Sequence, residues 1–304
     1  MSAIGLRRAQ VYIFWRSNLD THRINKLEGG STLTKAGRDA HLSHFDATMR
    51  RELNAQYKLT SLSVKQAAKY FAACKDAGTS IRTLQNRAAS LRAALKAEGR
   101  EHFATTTMTN AALGISGGSR TGTHVPAAAG VSAQRVASLN GGAAAAAGLQ
   151  RALGLRAREA VSAGGSLGSW QAALARGATH LSVVHGTKGG RPRDVRITDR
   201  AAVQKAVDAA AGIAQQQRGR IIDSKSLEGA CKSYARAMEA VGFRGAEASH
   251  SLRYEWAREQ FAHYRAGGDS ESEALAKLSC DLGHGDGRGR YCKSVYLRGA
   301  PSDE

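Results

Sequence analysis

Residues 250–297 read HSLRYEWAREQFAHYRAGGDSESEALAKLSCDLGHGDGRGRYCKSVYL. The pattern predicts two helices here, HSLRYEWAREQFAHYRAGG and ESEALAKLSCDLG, parted by Gly267-Gly268, where a helix can end. His250 and Arg253 fall at the start of the first helix. Leu282-Gly283-His284 closes the second, and the glycine-rich run GDGRGR then leads to Tyr291 and Tyr296. Each fragment alone is ordinary. A His/Arg pair can make routine polar contacts at a helix start, and Leu-Gly-His can end any helix.

Working outward, two more fragments precede this stretch. Lys188 sits in Gly186-Thr187-Lys188-Gly189-Gly190-Arg191, at the tip of a predicted hairpin. Its strands are His180 to His185 and Asp194 to Thr198, with Gly189-Gly190 as the turn. Earlier still stands Gly154-Leu155-Arg156-Ala157-Arg158-Glu159, an arginine with a glutamate three residues on. Helices are predicted for AAVQKAVDAAAGIAQQQ and LEGACKSYARAMEAVG, and an Ala-rich helical stretch precedes the arginine, with a turn at Asn140-Gly141-Gly142. The C-terminal half is therefore mainly α with one small β element.

The N-terminal half separates from it at GISGGSRTGTHVPAAAG, whose Gly, Ser, Thr and Pro126 mark a linker, assigned to 111–130. Residues 37–110 are predicted as a helical domain, and 131–304 as the second domain. LSVKQAAKYFAACKDAG has its start signal at Ser63 and its stop at Gly78. In SIRTLQNRAASLRAALKAEG, Ile81, Leu84, Ala88, Leu91 and Leu95 form one apolar stripe. Arg82, Gln85, Arg92 and Lys96 lie off the stripe, giving a basic outer face. Residues 1–36 are weakly patterned and are assigned as an irregular basic arm carrying Arg7, Arg8 and Arg16.

Composition narrows the function. The chain has 304 residues, 42% hydrophobic, enough for two domains with real cores. Its formal charge is +19, with Lys and Arg spread from Arg7 to Arg298 rather than gathered in a tail. A surplus of that size points to a polyanionic partner, nucleic acid first. The sequence holds no apolar run long enough to span a membrane and no signal-peptide pattern at its start, so the expected setting is cytoplasmic, on the nucleoid, with no membrane partner. Cys74, Cys231, Cys280 and Cys292 show no paired zinc spacing and are expected as free thiols. No carboxylate cluster at metal-binding spacing stands near the motifs, so no metal or other cofactor is expected.

In their order, the four fragments resemble the signature of the tyrosine recombinases, the phage-integrase family: Arg, Lys, His-x-x-Arg, His or Trp, then Tyr. The resemblance is specific in these motifs and loose over the N-terminal third. It implies a helical core-binding domain plus an α+β catalytic domain, closing as a clamp around double-stranded DNA. It also implies catalytic roles for Arg156, Lys188, His250, Arg253 and His284, a tyrosine nucleophile and a 3′-phosphotyrosyl intermediate. Four protomers would act together on DNA, with DNA-bending or directionality proteins as accessory partners. The residue types suit the chemistry. Two guanidiniums can grip the phosphate oxygens, a lysine can protonate the leaving 5′ oxygen, and cations stabilise a phenolate. Arg82, Arg92 and Lys96 are the expected DNA contacts of the first domain.

The chain departs from the pattern at the nucleophile. At the family's usual spacing from His284 stands Lys293; Tyr291 falls short of it and Tyr296 beyond. The glycine-rich run suggests a loop lengthened by about three residues. Tyr296, flanked by Val295 and Leu297, is the favoured nucleophile and Tyr291 the alternative. Tyr254 follows Arg253 where the family often has a second histidine. The leading reading is a recombinase that integrates or excises a mobile element. A housekeeping recombinase resolving chromosome dimers, a type IB topoisomerase and a non-catalytic DNA-binding protein on the same fold are the alternatives. An RNA-binding protein would explain the charge but not the motif order, and aromatics are only 6%.

Overall fold

The computed structural model describes residues 19–118, 124–128 and 130–298. The chain forms two compact units, residues 1–119 and 120–304. In the first, α1 (Thr21–Glu28), α2 (Thr32–Ala47), α3 (Val64–Asp76) and α4 (Ile81–Ala97) are each opened by a short polar side chain. Asp20, Ser31, Ser63 and Ser80 accept from backbone N–H groups that the first helical turn leaves unpaired. At α3 the cap is reciprocal, with the Gln66 side chain returning to the Ser63 N–H at 3.0 Å. The predicted stripe of α4 forms its inner face: Leu84, Ala88, Leu91 and Leu95 are buried, and Ile81 packs at the edge.

Two boundaries differ from the sequence reading. Residues 21–36 are not irregular: they form α1 and the start of α2, and both helices pack on α4. Ile24 is fully buried there, a gain of about 1.5–3 kcal/mol that an isolated eight-residue helix would lack. Residues 111–118 are not free linker either. Leu113 and Ile115 are buried in the first core, and Gln85 Nε2 donates to the carbonyls of Ile115 and Gly117 at 3.1 and 2.9 Å. Arg7, Arg8 and Arg16 of the expected arm, and residues 119–123 and 129 of the expected linker, lie outside the described residues.

The second unit holds α5 (Val131–Ala137), α6 (Gly141–Leu153), α7 (Ala157–Val161), α8 (Leu167–Ala175), β1 (His180–Val183), β2 (Arg193–Arg196), α9 (Arg200–Gln216), α10 (Leu227–Ala240), α11 (Ser251–Ala266), α12 (Glu271–Asp281) and α13 (Gly289–Tyr296). The Ala-rich α6 packs on α9 and α11 through small residues, with Ala145, Ala146 and Ala147 buried. A Cβ on Gly142 would stand 1.9 Å from the Ile221 carbonyl oxygen, so the close approach requires glycine. β1 and β2 pair antiparallel, Leu181 opposite Val195 and Val183 opposite Arg193. Strand alternation turns Arg193 and Val195 to the buried face together. α12 packs on β2, and α13 on α12 and α11.

α13 begins at Gly289, inside the glycine-rich run 285–290 that the sequence assigns to a lengthened loop. The loop is shorter, with Gly283, Gly285 and Gly287 at φ of 68°, 78° and 76°. These alternate left-handed positions fold the chain back so that Gly289 can begin a helix against Leu275, where a Cβ would meet the Leu275 Cβ at 3.1 Å.

Candidate active site

Four elements converge in the second unit. Arg156 is the N-cap residue of α7; its backbone N–H and its Nη1 both donate to Glu159, at 2.8 and 2.7 Å. Glu159 is buried and also receives Arg193 as a two-pronged pair, Nη1 and Nη2 at 2.6 and 2.7 Å. Burial alone would raise the Glu159 carboxyl, but the Arg193 hydrogen bonds and the surrounding guanidiniums hold it at about 2. Glu159 thus stays an anion that fixes two cations. Arg193 Nε donates to the Asp281 carbonyl at 2.9 Å, which ties β2 to the end of α12.

Arg253, on the first turn of α11, is fully buried. Its Nη1 donates to the Gly154 carbonyl and its Nη2 to the Leu282 carbonyl. Arg156 Nη2 reaches the same Leu282 oxygen at 3.3 Å, so the two arginines meet on one acceptor. Arg253 Nε has no acceptor among the described residues. Burial lowers its pKa to about 10, so the guanidinium stays charged at neutral pH.

His284 and Tyr296 complete the group. His284 Nε2 lies 3.0 Å from the Tyr296 hydroxyl, and the Arg253 guanidinium carbon is 5.8 Å from the Tyr296 ring centre. Burial, then Arg253, Arg156, Arg193 and Lys188, lower His284 to about 4. The imidazole is therefore neutral at pH 7 and can accept the phenol's hydrogen bond. Tyr296 is 3% exposed, and its ring packs 4.7 Å from that of Tyr254. Tyr291 is 37% exposed and stands edge-on to His284 at 5.0 Å. His250, the N-cap residue of α11, is held at about 3 by burial and then by Arg253, His124 and Arg156, with Glu159 opposing them.

The structure thus gathers Arg156, His250, Arg253, His284 and both tyrosines. Lys188 is exposed on the β1–β2 connection, in a helical turn Lys188–Gly190, and its charge reaches His284 without a hydrogen bond to the group. Of the residues expected to meet DNA in the first unit, Arg82 is exposed and makes no hydrogen bond or ion pair among the described residues. Lys96 pairs with Glu101 at 3.1 Å. Arg92 is committed internally, to the Met108 carbonyl and Asn110 Oδ1, both at 2.7 Å. Sequence reasoning missed Arg193 and the clamp at Glu159. The signal was the Glu159 of the arginine motif, a carboxylate that needs more than one cation once buried. No group of three His, Cys, Asp or Glu able to hold a metal is found among the described residues, and no helix among them is long and apolar enough to cross a membrane.

A family model described as Integrase matches residues 114–259, and one described as Phage integrase, N-terminal, matches residues 16–104. Arg156, Lys188, His250 and Arg253 fall inside the first span; His284, Tyr291 and Tyr296 lie beyond it. Among proteins of curated function none matches the chain. The Tn1549 transposon integrase bound to transposon right-end DNA has a similar fold, with TM-score 0.58 and 11% identity over 93% of this chain and 95% of that one. A lambda integrase dimer bound to a COC′ core site aligns with TM-score 0.59 and 18% identity over 93% of this chain and 79% of that one.

Proposed function

Because the chain belongs to the phage integrase family of tyrosine recombinases, we propose that it cuts and rejoins double-stranded DNA at specific sites through a 3′-phosphotyrosyl intermediate on Tyr296, integrating or excising a mobile element. The observation that carries this reading is the 3.0 Å contact between His284 Nε2 and the Tyr296 hydroxyl, beside two arginines joined on one carbonyl. Arg253 adds a buried Nε–H with no acceptor among the described residues, a cost of about 1–3 kcal/mol that a phosphate oxygen would relieve.

In the proposed reaction the scissile phosphate lies against Arg156 and Arg253. Its negative charge offsets the cations that depress His284, so the imidazole pKa rises on binding and the group becomes a better base. The Tyr296 oxygen bonds to phosphorus, its proton passes to His284, and the bond from phosphorus to the 5′ oxygen breaks. Lys188 protonates the leaving oxygen. The 5′ hydroxyl of a partner strand then attacks the phosphotyrosine, which keeps the energy of the broken bond, so the cycle needs no nucleotide cofactor. Guanidinium and ammonium groups supply the charge that a metal supplies elsewhere. Four protomers on two duplexes, assisted by DNA-bending or directionality proteins, would exchange the strands.

A suicide substrate nicked beside the scissile bond tests this. Wild-type protein should form a detergent-stable covalent complex, also in excess EDTA. Tyr296→Phe should abolish the complex and Tyr291→Phe should retain most of it. The reverse pattern transfers the nucleophile to Tyr291, and loss in neither variant removes the mechanism.

A further inference from the structure

His124 belongs to none of the motifs above. It lies in the described segment 124–128, ahead of α5, yet its ring stands among the rings of the site. Its centroid is 5.2 Å from that of His250 and 5.9 Å from that of Tyr254, each at an interplanar angle of 65°. His250 and Tyr254 are 5.6 Å apart at 72°. The three rings bracket one another edge to face, the arrangement in which a positive ring edge meets a negative face.

His124 is itself anchored. Its Nδ1 lies 3.2 Å from the Ala246 carbonyl oxygen, and the Val125 N–H donates to the same oxygen at 3.0 Å. A carbonyl only accepts, so the hydrogen is assigned to Nδ1 and the ring plane is fixed. His250 has no such anchor: its side chain makes no capping hydrogen bond and none to another side chain among the described residues. The titratable groups around it are Arg253, Arg156, Glu159 and His124. What sets the His250 ring is therefore its packing between His124 and Tyr254.

We propose that His124 is a positioning residue for strand cleavage: anchored on the Ala246 carbonyl, its ring holds His250 in the orientation that meets the scissile phosphate. This rests on the reading of His250 as a phosphate contact. The loss expected from a misplaced active-site group separates it from a mere packing residue, because the effect must pass through His250.

Full-length protein and the suicide substrate supply the test, in single turnovers with protein in excess. His124→Ala should slow covalent complex formation by about tenfold, the scale of a sub-ångström misplacement, with the half-saturating protein concentration unchanged. His124→Phe keeps the edge-to-face packing but loses the bond to the Ala246 carbonyl, and should recover the rate in part, to within about threefold of wild type. In a His250→Ala background, where trapped product lets slow cleavage accumulate, His124→Ala should cost nothing further. A full additional loss there would assign His124 a direct role and overturn the proposal. So would a loss that Phe does not rescue, or one that reads as weaker binding. A wild-type protein that forms no covalent complex refutes the reading of the site itself. A His124→Ala variant as fast as wild type refutes this inference alone.

Discussion

Glu159 sits where water does not reach, between Arg156 and Arg193, and its anionic form is what lets two like charges stand near Arg253. Removing one partner of a buried pair leaves the others uncompensated, which costs about 3–5 kcal/mol. Glu159→Gln should therefore destabilise the chain by that order in urea denaturation at pH 7. Its pH signature is specific. The carboxyl sits at about 2 in the folded chain against an ordinary 4.5. Its contribution is then fully present above pH 4.5 and is lost as pH falls toward 2. Wild-type stability should decline across that window, and Glu159→Gln should lack this share of the decline. An unchanged pH profile in the variant would show that the clamp is not ionic. Cleavage should also fall in the variant while DNA affinity holds, since Arg156 loses the group that orients it.

The close of α6 shows how an element fixes the site. Gly154 has φ of 57°, and its carbonyl accepts from Arg253. A Cβ there would stand 2.3 Å from Cε3 of Trp256. Gly154→Ala should therefore cost about 2–3 kcal/mol, from a left-handed backbone and an overpacked indole, and should slow cleavage by displacing the carbonyl. Gly212, inside α9, is the contrast: a Cβ added there would meet nothing within 4 Å. Gly212→Ala should stabilise by about 0.5–1 kcal/mol. Thermal or urea midpoints check both, and a neutral Gly154→Ala would remove the packing argument. At this scale the sequence was legible wherever caps and stripes agree, as in α3, α4, α9, α10 and α12. It was less so for α1, whose Ile24 is buried only once the helix packs on α2 and α4. α13 was hidden by the glycines that lead into it, although Cys292, Val295 and Tyr296 already share one helical face. The motif order placed most of the site, but Arg193 reads as a solvated strand residue until Glu159 is known to lie opposite it.

Over the whole molecule the net charge is +19, and on the proposed reading it would draw the DNA polyanion to the protein. A basic residue contributes to phosphate binding only if the fold leaves its charge free to meet one. Arg82 is exposed and makes no ion pair or hydrogen bond among the described residues, whereas Arg92, on the same helix, holds the Met108 carbonyl and Asn110. Counting charges in sequence cannot separate them; the salt dependence of binding can. The log of the association constant should fall linearly with log salt, at a slope of about −0.9 per phosphate neutralised. Arg82→Ala in the full chain should reduce the slope by about 1 and weaken binding to all duplex sequences alike. Arg92→Ala should leave the slope unchanged and instead lower stability by about 1–3 kcal/mol, since a backbone and a side-chain acceptor lose their donor. Fluorescence anisotropy across a salt series, paired with urea denaturation, measures both quantities. Equal slopes for wild type and Arg82→Ala would take this face of α4 off the DNA, and a slope change in Arg92→Ala would mean that its internal bonds open on binding.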